Sequence, residues 1–239
     1  MDFSIHTMNL ISLLTTSIGW SMIAFLVFRT YKKSQHKPKV WKVIVITYVG
    51  LFSLSIDWII TDSLLKIPLL PLGVWVLYLI FKRKQTSWQT YRSFAWIGFL
   101  SNFVFILCTL IYIPIYQTLY PTNDISTFVS NIDHAEIIHS HPSAENVSLN
   151  KDKLLEQLDA IKQVNIDSAQ WYEDVILLKK EERFPYLLIE TLPKWGSGSH
   201  AVIYIENDGK GLILQTENKQ FYFRSEHSFL KEGNRAESK

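Results

Sequence analysis

Within eight positions the chain sets His134, Glu136, His139 and His141, its densest run of groups able to bind a metal or move a proton. On an extended strand, residues two apart share a face. His139 and His141 then offer two imidazoles to one ion, and His200 or His227 supplies a third ligand through the fold. Zinc or copper suits such a set. The plain alternative is a strand with one wet side, because Ile138 alternates to the opposite face. Gly196-Ser197-Gly198-Ser199-His200 puts hydroxyls beside an imidazole, yet it is not Gly-x-Ser-x-Gly and no strand-to-helix elbow surrounds it. A loop of small residues accounts for it. Glu173, Asp174, Glu181 and Glu182 read as solvated surface, and neither a phosphate-cradling glycine loop nor a paired-cysteine motif occurs. Asp57 is the one ionisable group that an apolar run carries towards a bilayer interior. Such groups mark ion or proton paths when they face a helix bundle, and with Asp62 and Lys66 it would line a shallow vestibule. The metal candidates are therefore His139 and His141, the intramembrane polar candidate is Asp57, and no catalytic residue or cofactor is expected.

The elements that must hold these groups begin with four apolar blocks, at 8–28, 43–60, 64–81 and 94–120. About 20 helical residues rising about 1.5 Å each cross a hydrocarbon core of about 30 Å. The blocks read as a bundle of four transmembrane helices. Asp57, Asp62, Lys66, Pro68 and Pro71 interrupt the middle pair. A re-entrant hairpin is one account of 43–81; two full spans, with both prolines in the first turns of the third helix, is the expected one.

Charge assigns the sides. Residues 1–120 hold 11 Lys/Arg against 3 Asp/Glu, a net +8, while 121–239 hold 13 against 19, a net −6. Arg29, Lys32, Lys33, Lys37, Lys39 and Lys42 fill the first connector, and Lys82, Arg83, Lys84 and Arg92 the third, with no acid in either. Short basic loops stay cytoplasmic, so the N-terminus, the second connector and the tail are expected outside. Basic charge beside apolar spans speaks for lipid headgroups rather than nucleic acid. Residues 8–28 lack a basic region before them and a small-residue cleavage site after them, so they read as a retained anchor. The single cysteine, Cys108, lies in the fourth block, which leaves the tail without disulfides.

After a linker at 121–126 the texture becomes strand-like. Runs at 135–140 and 147–149 precede an N-cap at Asn150 and an amphipathic helix over 151–163. Strands follow at 175–178, 186–191, 201–206, 212–216 and 220–224, with Asn207-Asp208-Gly209 as a turn. Residues 179–183 read as a solvated charged loop, 193–199 as a glycine-containing one, and 232–239 as a flexible end.

Lys37-Pro38-Lys39-Val40-Trp41-Lys42, Leu70-Pro71-Leu72-Gly73-Val74-Trp75 and Trp88-Gln89-Thr90-Tyr91-Arg92 together give the chain a family look. In the tail, His141-Pro142-Ser143-Ala144, Arg183-Phe184-Pro185-Tyr186 and Lys194-Trp195-Gly196-Ser197-Gly198 add to it. The whole resembles a family of uncharacterised multipass membrane proteins from Gram-positive, bacillus-type bacteria. That resemblance implies a bacterial plasma membrane and carries over no activity. The expectation is a four-helix transmembrane region at 1–120 followed by an extracytoplasmic α+β domain at 127–231. It would act as a binding, sensing or partner-interaction module, with lipid and a membrane or envelope protein as partners. A transporter or channel accessory using Asp57, and a metal enzyme using His139 and His141, are the alternatives.

Overall fold

A computed structural model describes residues 9–34, 37–60, 63–83, 85–158, 160–166, 182–217 and 219–232. The chain divides into two compact units, Leu10–Tyr116 and Met1–Asn9 with Gln117–Lys239.

The first unit corrects the expectation of four transmembrane helices at 8–28, 43–60, 64–81 and 94–120: the chain is mixed α+β throughout. Among the described residues, only α1 (Leu10–Lys33) and α4 (Gln85–Leu119) are long and apolar enough to cross a membrane. The second and third blocks each break into a short helix and a strand: α2 (Val40–Gly50), β1 (Leu54–Ile60), β2 (Ser63–Leu70) and α3 (Leu72–Phe81). At 1.5 Å per residue, α2 and α3 reach only about 16 and 15 Å. The local sequence explains the break. Ser55, Ile56, Asp57 and Trp58 alternate with period two, and β-branched isoleucines favour an extended backbone. Pro68 has no N–H to give a helix, whereas an edge strand beside a bulge tolerates it. It pairs with Ser55 next to an irregularity at Leu54–Ser55, and Asp57 stands opposite Lys66. Residues 61–62, Asp62 among them, lie outside the described residues.

Where the helices of this unit pack, glycine lets backbones touch. A Cβ on Gly50 would lie 2.3 Å from the Ala95 carbonyl oxygen, and one on Gly98 would lie 2.1 Å from that of Thr47. Gly73 approaches Val49 in the same way, at 1.8 Å, and Gly19 meets Phe105 and Cys108 at 3.2 and 3.3 Å. Small residues at helix contacts are the usual device of membrane helices, which have no water to drive them together. Asn102 of α4 donates through Nδ2 to the Leu51 carbonyl at 3.1 Å, satisfying backbone where α2 stops. Only 17% and 28% of the most apolar windows of α1 and α4 are buried. Neither is therefore the core helix of a water-soluble fold, and their length and apolar surface point to membrane association.

The second unit is built on a six-stranded antiparallel sheet, ordered β3 (Glu136–His139), β6 (Tyr186–Ile189), β7 (Val202–Ile205), β8 (Gly211–Gln215), β9 (Gln220–Arg224) and β5 (Lys162–Val164). β4 (Val147–Leu149) pairs separately with β10 (Leu230–Glu232). Alternation sends Leu212, Leu214, Phe221 and Phe223 to one face. There Leu154 of α5 (Lys151–Gln157), Ile132, Ile203 and Phe229 close the main core. The opposite face buries a smaller cluster of Phe184, Ile213 and Tyr222. Asn150 caps α5 by accepting the Lys153 N–H. The helix is shorter than 151–163: it stops at Gln157, Leu158 and Ile161 still enter the core, and β5 begins at Lys162. The strand expected at 175–178 lies outside the described residues.

Candidate functional site

The sequence-read candidates do not converge. His139 sits on β3, an edge strand, with its ring 6.0 Å from that of Tyr186 on the neighbouring strand. His141 lies beyond the strand and engages its own turn: its Nδ1 accepts the Ser143 N–H at 3.2 Å and lies 2.8 Å from the Ser143 hydroxyl. Both imidazoles are exposed. His200 borders a groove on β7 and β8, and His227 lies in a turn made by the Ser225 hydroxyl. Among the described residues no group of three His, Cys, Asp or Glu stands close enough to hold a metal ion. Asp57 is exposed on the β1–β2 hairpin. In the small-residue loop, Ser197 is 1% exposed, and its Oγ accepts the Ser199 N–H at 3.2 Å.

What converges instead is a cluster around Glu206, which the sequence reading left unremarked. Asn207, Asp208 and Gly209 turn the chain between β7 and β8, with Gly209 at φ +68°. The Gly209 N–H bonds the Glu206 carbonyl, and the Glu206 N–H bonds the Gly211 carbonyl, both at 2.8 Å. This tight return lays the Glu206 carboxylate over Gly211, where an added Cβ would lie 1.9 Å from Oε2. Register then brings Arg224 of β9 opposite Gly211. Three donors reach the carboxylate: Arg183 Nε at 2.6 Å on Oε1, and Arg224 Nη1 and the Tyr222 hydroxyl on Oε2, the latter at 2.6 Å. Arg224 Nη2 also donates to Asp208 at 2.6 Å, and both guanidiniums donate to the Tyr222 oxygen. Two cations and two anions thus enclose one phenol.

The environment sets the protonation of this group. Burial, joined by the hydrogen bond to Glu206, raises the Tyr222 phenol above its ordinary range, and Arg224 only partly opposes this. Burial works against the Arg183 charge, but the hydrogen bond and attraction of Glu206 outweigh it and raise its pKa. The Arg224 guanidinium behaves alike: burial opposes it, and bonds to Tyr222 and Asp208 with the charge of Glu206 raise it further. At neutral pH both arginines are charged and the phenol keeps its proton. Compensated charge of this kind fixes a loop and a hairpin turn to each other. The sequence did hold a signal. Asn-Asp-Gly fixes the β7–β8 register, which sets Glu206 beside Gly211, and the separate β8–β9 register brings Arg224 opposite Gly211.

A second surface lies on the loop after β6. Its recess, about 530 Å³ and open to solvent, runs along β7 and β8 with Val202, Tyr204, Gln215 and Thr216 in its wall. In the loop after β6, Trp195 is 81% exposed on a turn closed by the Ser197 N–H and the Lys194 carbonyl at 3.0 Å.

The fold and these surfaces define a mixed α+β chain with two membrane-length helices and a separate antiparallel sheet unit. The chain matches no family model, no curated protein and no solved structure.

Proposed function

We propose that this chain is an integral protein of a bacterial plasma membrane, and that it presents its sheet unit on the outer surface as a binding or sensing module. The observation that carries this reading is a self-contained sheet unit joined without a break to α4, a helix whose sides are apolar and uncovered. α1 and α4 cross the bilayer in opposite directions. The basic connectors at 29–42 and 82–92 hold the cytoplasmic side, so the segment from α2 to α3 enters and returns on one side. Its β-hairpin has two open edges, which tolerate water, headgroups or protein but not hydrocarbon. The recess along β7 and β8, with Tyr204 and His200 at hand, is the place where an envelope component or membrane partner docks.

Cysteine mapping in intact cells tests the topology. In a Cys108→Ala background, single cysteines replace Lys37, Lys66, Arg83 and Asn207, all exposed positions. An impermeant reagent should label Asn207→Cys and leave Lys37→Cys and Arg83→Cys silent until the membrane is opened. The reverse pattern overturns the outward display. Lys66→Cys reports where the hairpin lies. A photo-crosslinking residue at Gln215 then tests binding: a defined adduct in living cells is expected, and repeated absence of one sinks the module reading.

A further inference from the structure

We propose that the turn carrying Trp195 is a lipid anchor, seated in the headgroup layer of the outer leaflet beside the end of α4. It rests on the reading of α4 as a membrane span and adds a partner to it, the bilayer surface itself. The chain ties this turn to the last helical residue in two ways. Lys194 Nζ donates to the Leu119 carbonyl at 3.1 Å, and the Tyr120 hydroxyl donates to the Trp195 carbonyl at 2.9 Å. The Lys194 ammonium also stands 5.7 Å from the Tyr120 ring centre. The Lys194 N–H bonds the Thr127 carbonyl at 3.2 Å, which fixes the turn to the sheet unit. Gly196, at φ +78°, supplies the positive-φ third position of a type II turn and leaves Trp195 at its tip.

The side chains fit a bilayer surface and little else. A large indole exposed to 81% and Leu192 exposed to 59% flank a cation. Trp and Tyr collect at the membrane–water boundary because the ring is apolar and the N–H or O–H remains wet, and a lysine beside them meets phosphate. A Cβ added to Gly198, at φ +65°, would lie 3.3 Å from Asn9, so the same loop also faces the residue that leads into α1. One loop therefore meets both chain passages, and its exposed large side chains are Leu192, Trp195 and the cation Lys194. With Trp195 in the headgroups, the sheet unit is held at the bilayer rather than swinging on a linker.

The test uses the full chain with Cys108→Ala in vesicles of three parts phosphatidylcholine to one part phosphatidylglycerol. An environment-sensitive fluorophore is placed by Leu192→Cys, by Asn207→Cys as a distant site on the same unit, and by Leu110→Cys within α4. Headgroup-nitroxide lipid and aqueous iodide serve as quenchers. The probe at 192 should be quenched by the lipid at least threefold more than the probe at 207, and Trp195→Ser should bring it down to the level of 207. Equal quenching at 192 and 207, with 110 shielded from iodide and quenched by acyl-chain nitroxide, overturns the anchor while the span stands. If 110 instead answers to iodide, the span reading fails as well. Strong lipid quenching at 192 that survives Trp195→Ser shows that the indole is not the anchor. Shielding of 192 from both quenchers shows protein covering the turn, which also overturns it.

Discussion

Replacing Glu206 by glutamine removes one negative charge and keeps the side-chain volume, so its effect reads the cluster rather than a cavity. The side chain is 10% exposed and takes three charge-assisted or phenolic hydrogen bonds. A hydrogen bond to a charged group contributes about 1.5–3 kcal/mol net. Glutamine keeps one acceptor for Arg183 but turns an amide N–H towards Arg224, while Tyr222 rotates its hydroxyl to accept. One such bond is lost outright and another weakened. Both arginine side chains are more than a third exposed, at 36% and 38%, so they rehydrate and the lower part of the range applies. The expected cost is about 2–3 kcal/mol, and at about 1.4 kcal/mol per factor of ten this is roughly a 30- to 150-fold change.

Hydrogen exchange on the full chain in lipid nanodiscs measures that change where it arises. Amides of β7 and β8 should exchange faster in Glu206→Gln by that factor, while those of α4 should not move. Asp208→Asn is the internal control. It loses only an exposed pair with Arg224, 38% and 39% exposed, and should accelerate exchange less than fivefold. Less than a threefold effect of Glu206→Gln would refute the argument, because the cluster would then be solvated surface whose bonds exchange freely with water.

Alkaline unfolding should report the raised Tyr222 phenol. Above pH 10 the unfolded chain gives up that proton while the folded chain keeps it, so stability present below pH 10 falls as pH rises towards the folded pKa. The group contributes a slope of at most about 1.4 kcal/mol per pH unit, and Tyr222→Phe should flatten the fall in melting temperature between pH 9 and 11. An unchanged slope contradicts the assignment. In the first unit, Gly50→Ala drives a Cβ to 2.3 Å from a backbone oxygen that cannot rotate away. Overpacking of about 2 kcal/mol should lower the detergent melting temperature by about 4–8 °C. A melt within 1 °C of the parent would show that α2 and α4 do not meet there.

Length and average hydropathy pick out α1 and α4 in the sequence, and they mislead over 43–81 for the same reason. A window of that width registers how apolar a stretch is and loses its period. Ser55, Asp57 and Lys66 fall every second residue among Ile56, Trp58, Leu65 and Ile67, the spacing of a strand with one polar face. Pro68 and Pro71 carried the same message. Placed inside a third helix they need both to sit in its first turns, whereas a hairpin puts Pro68 on an edge and Pro71 just before Leu72, where α3 starts. In the sheet unit the turns were readable, since Asn-Asp-Gly demands positive φ and Gly209 has it. The end of α5 was not, because Leu158 at the C-cap and Ile161 beyond the helix keep helical spacing while both enter the core.

The cluster escaped notice because its members are distant in sequence, Arg183 lying 23 residues from Glu206. Arg183 read as solvated beside Glu182, and nothing local says otherwise. The histidines attracted attention for the opposite reason, being adjacent in sequence. His139 stands on β3 at a sheet edge, facing a tyrosine on the one strand paired with it, and His141 lies beyond that strand. A charged group becomes buried and retained only where several segments bring donors to it at once, since an isolated buried charge is too costly to keep. In this sheet that condition is met where the β7–β8 turn passes beside β9 and the loop before β6. Glu206 therefore sits at the crossing of three segments. The Asn-Asp-Gly turn places Glu206 beside Gly211, and Arg224 joins them only through the β8–β9 pairing. Arg183 would still require the fold.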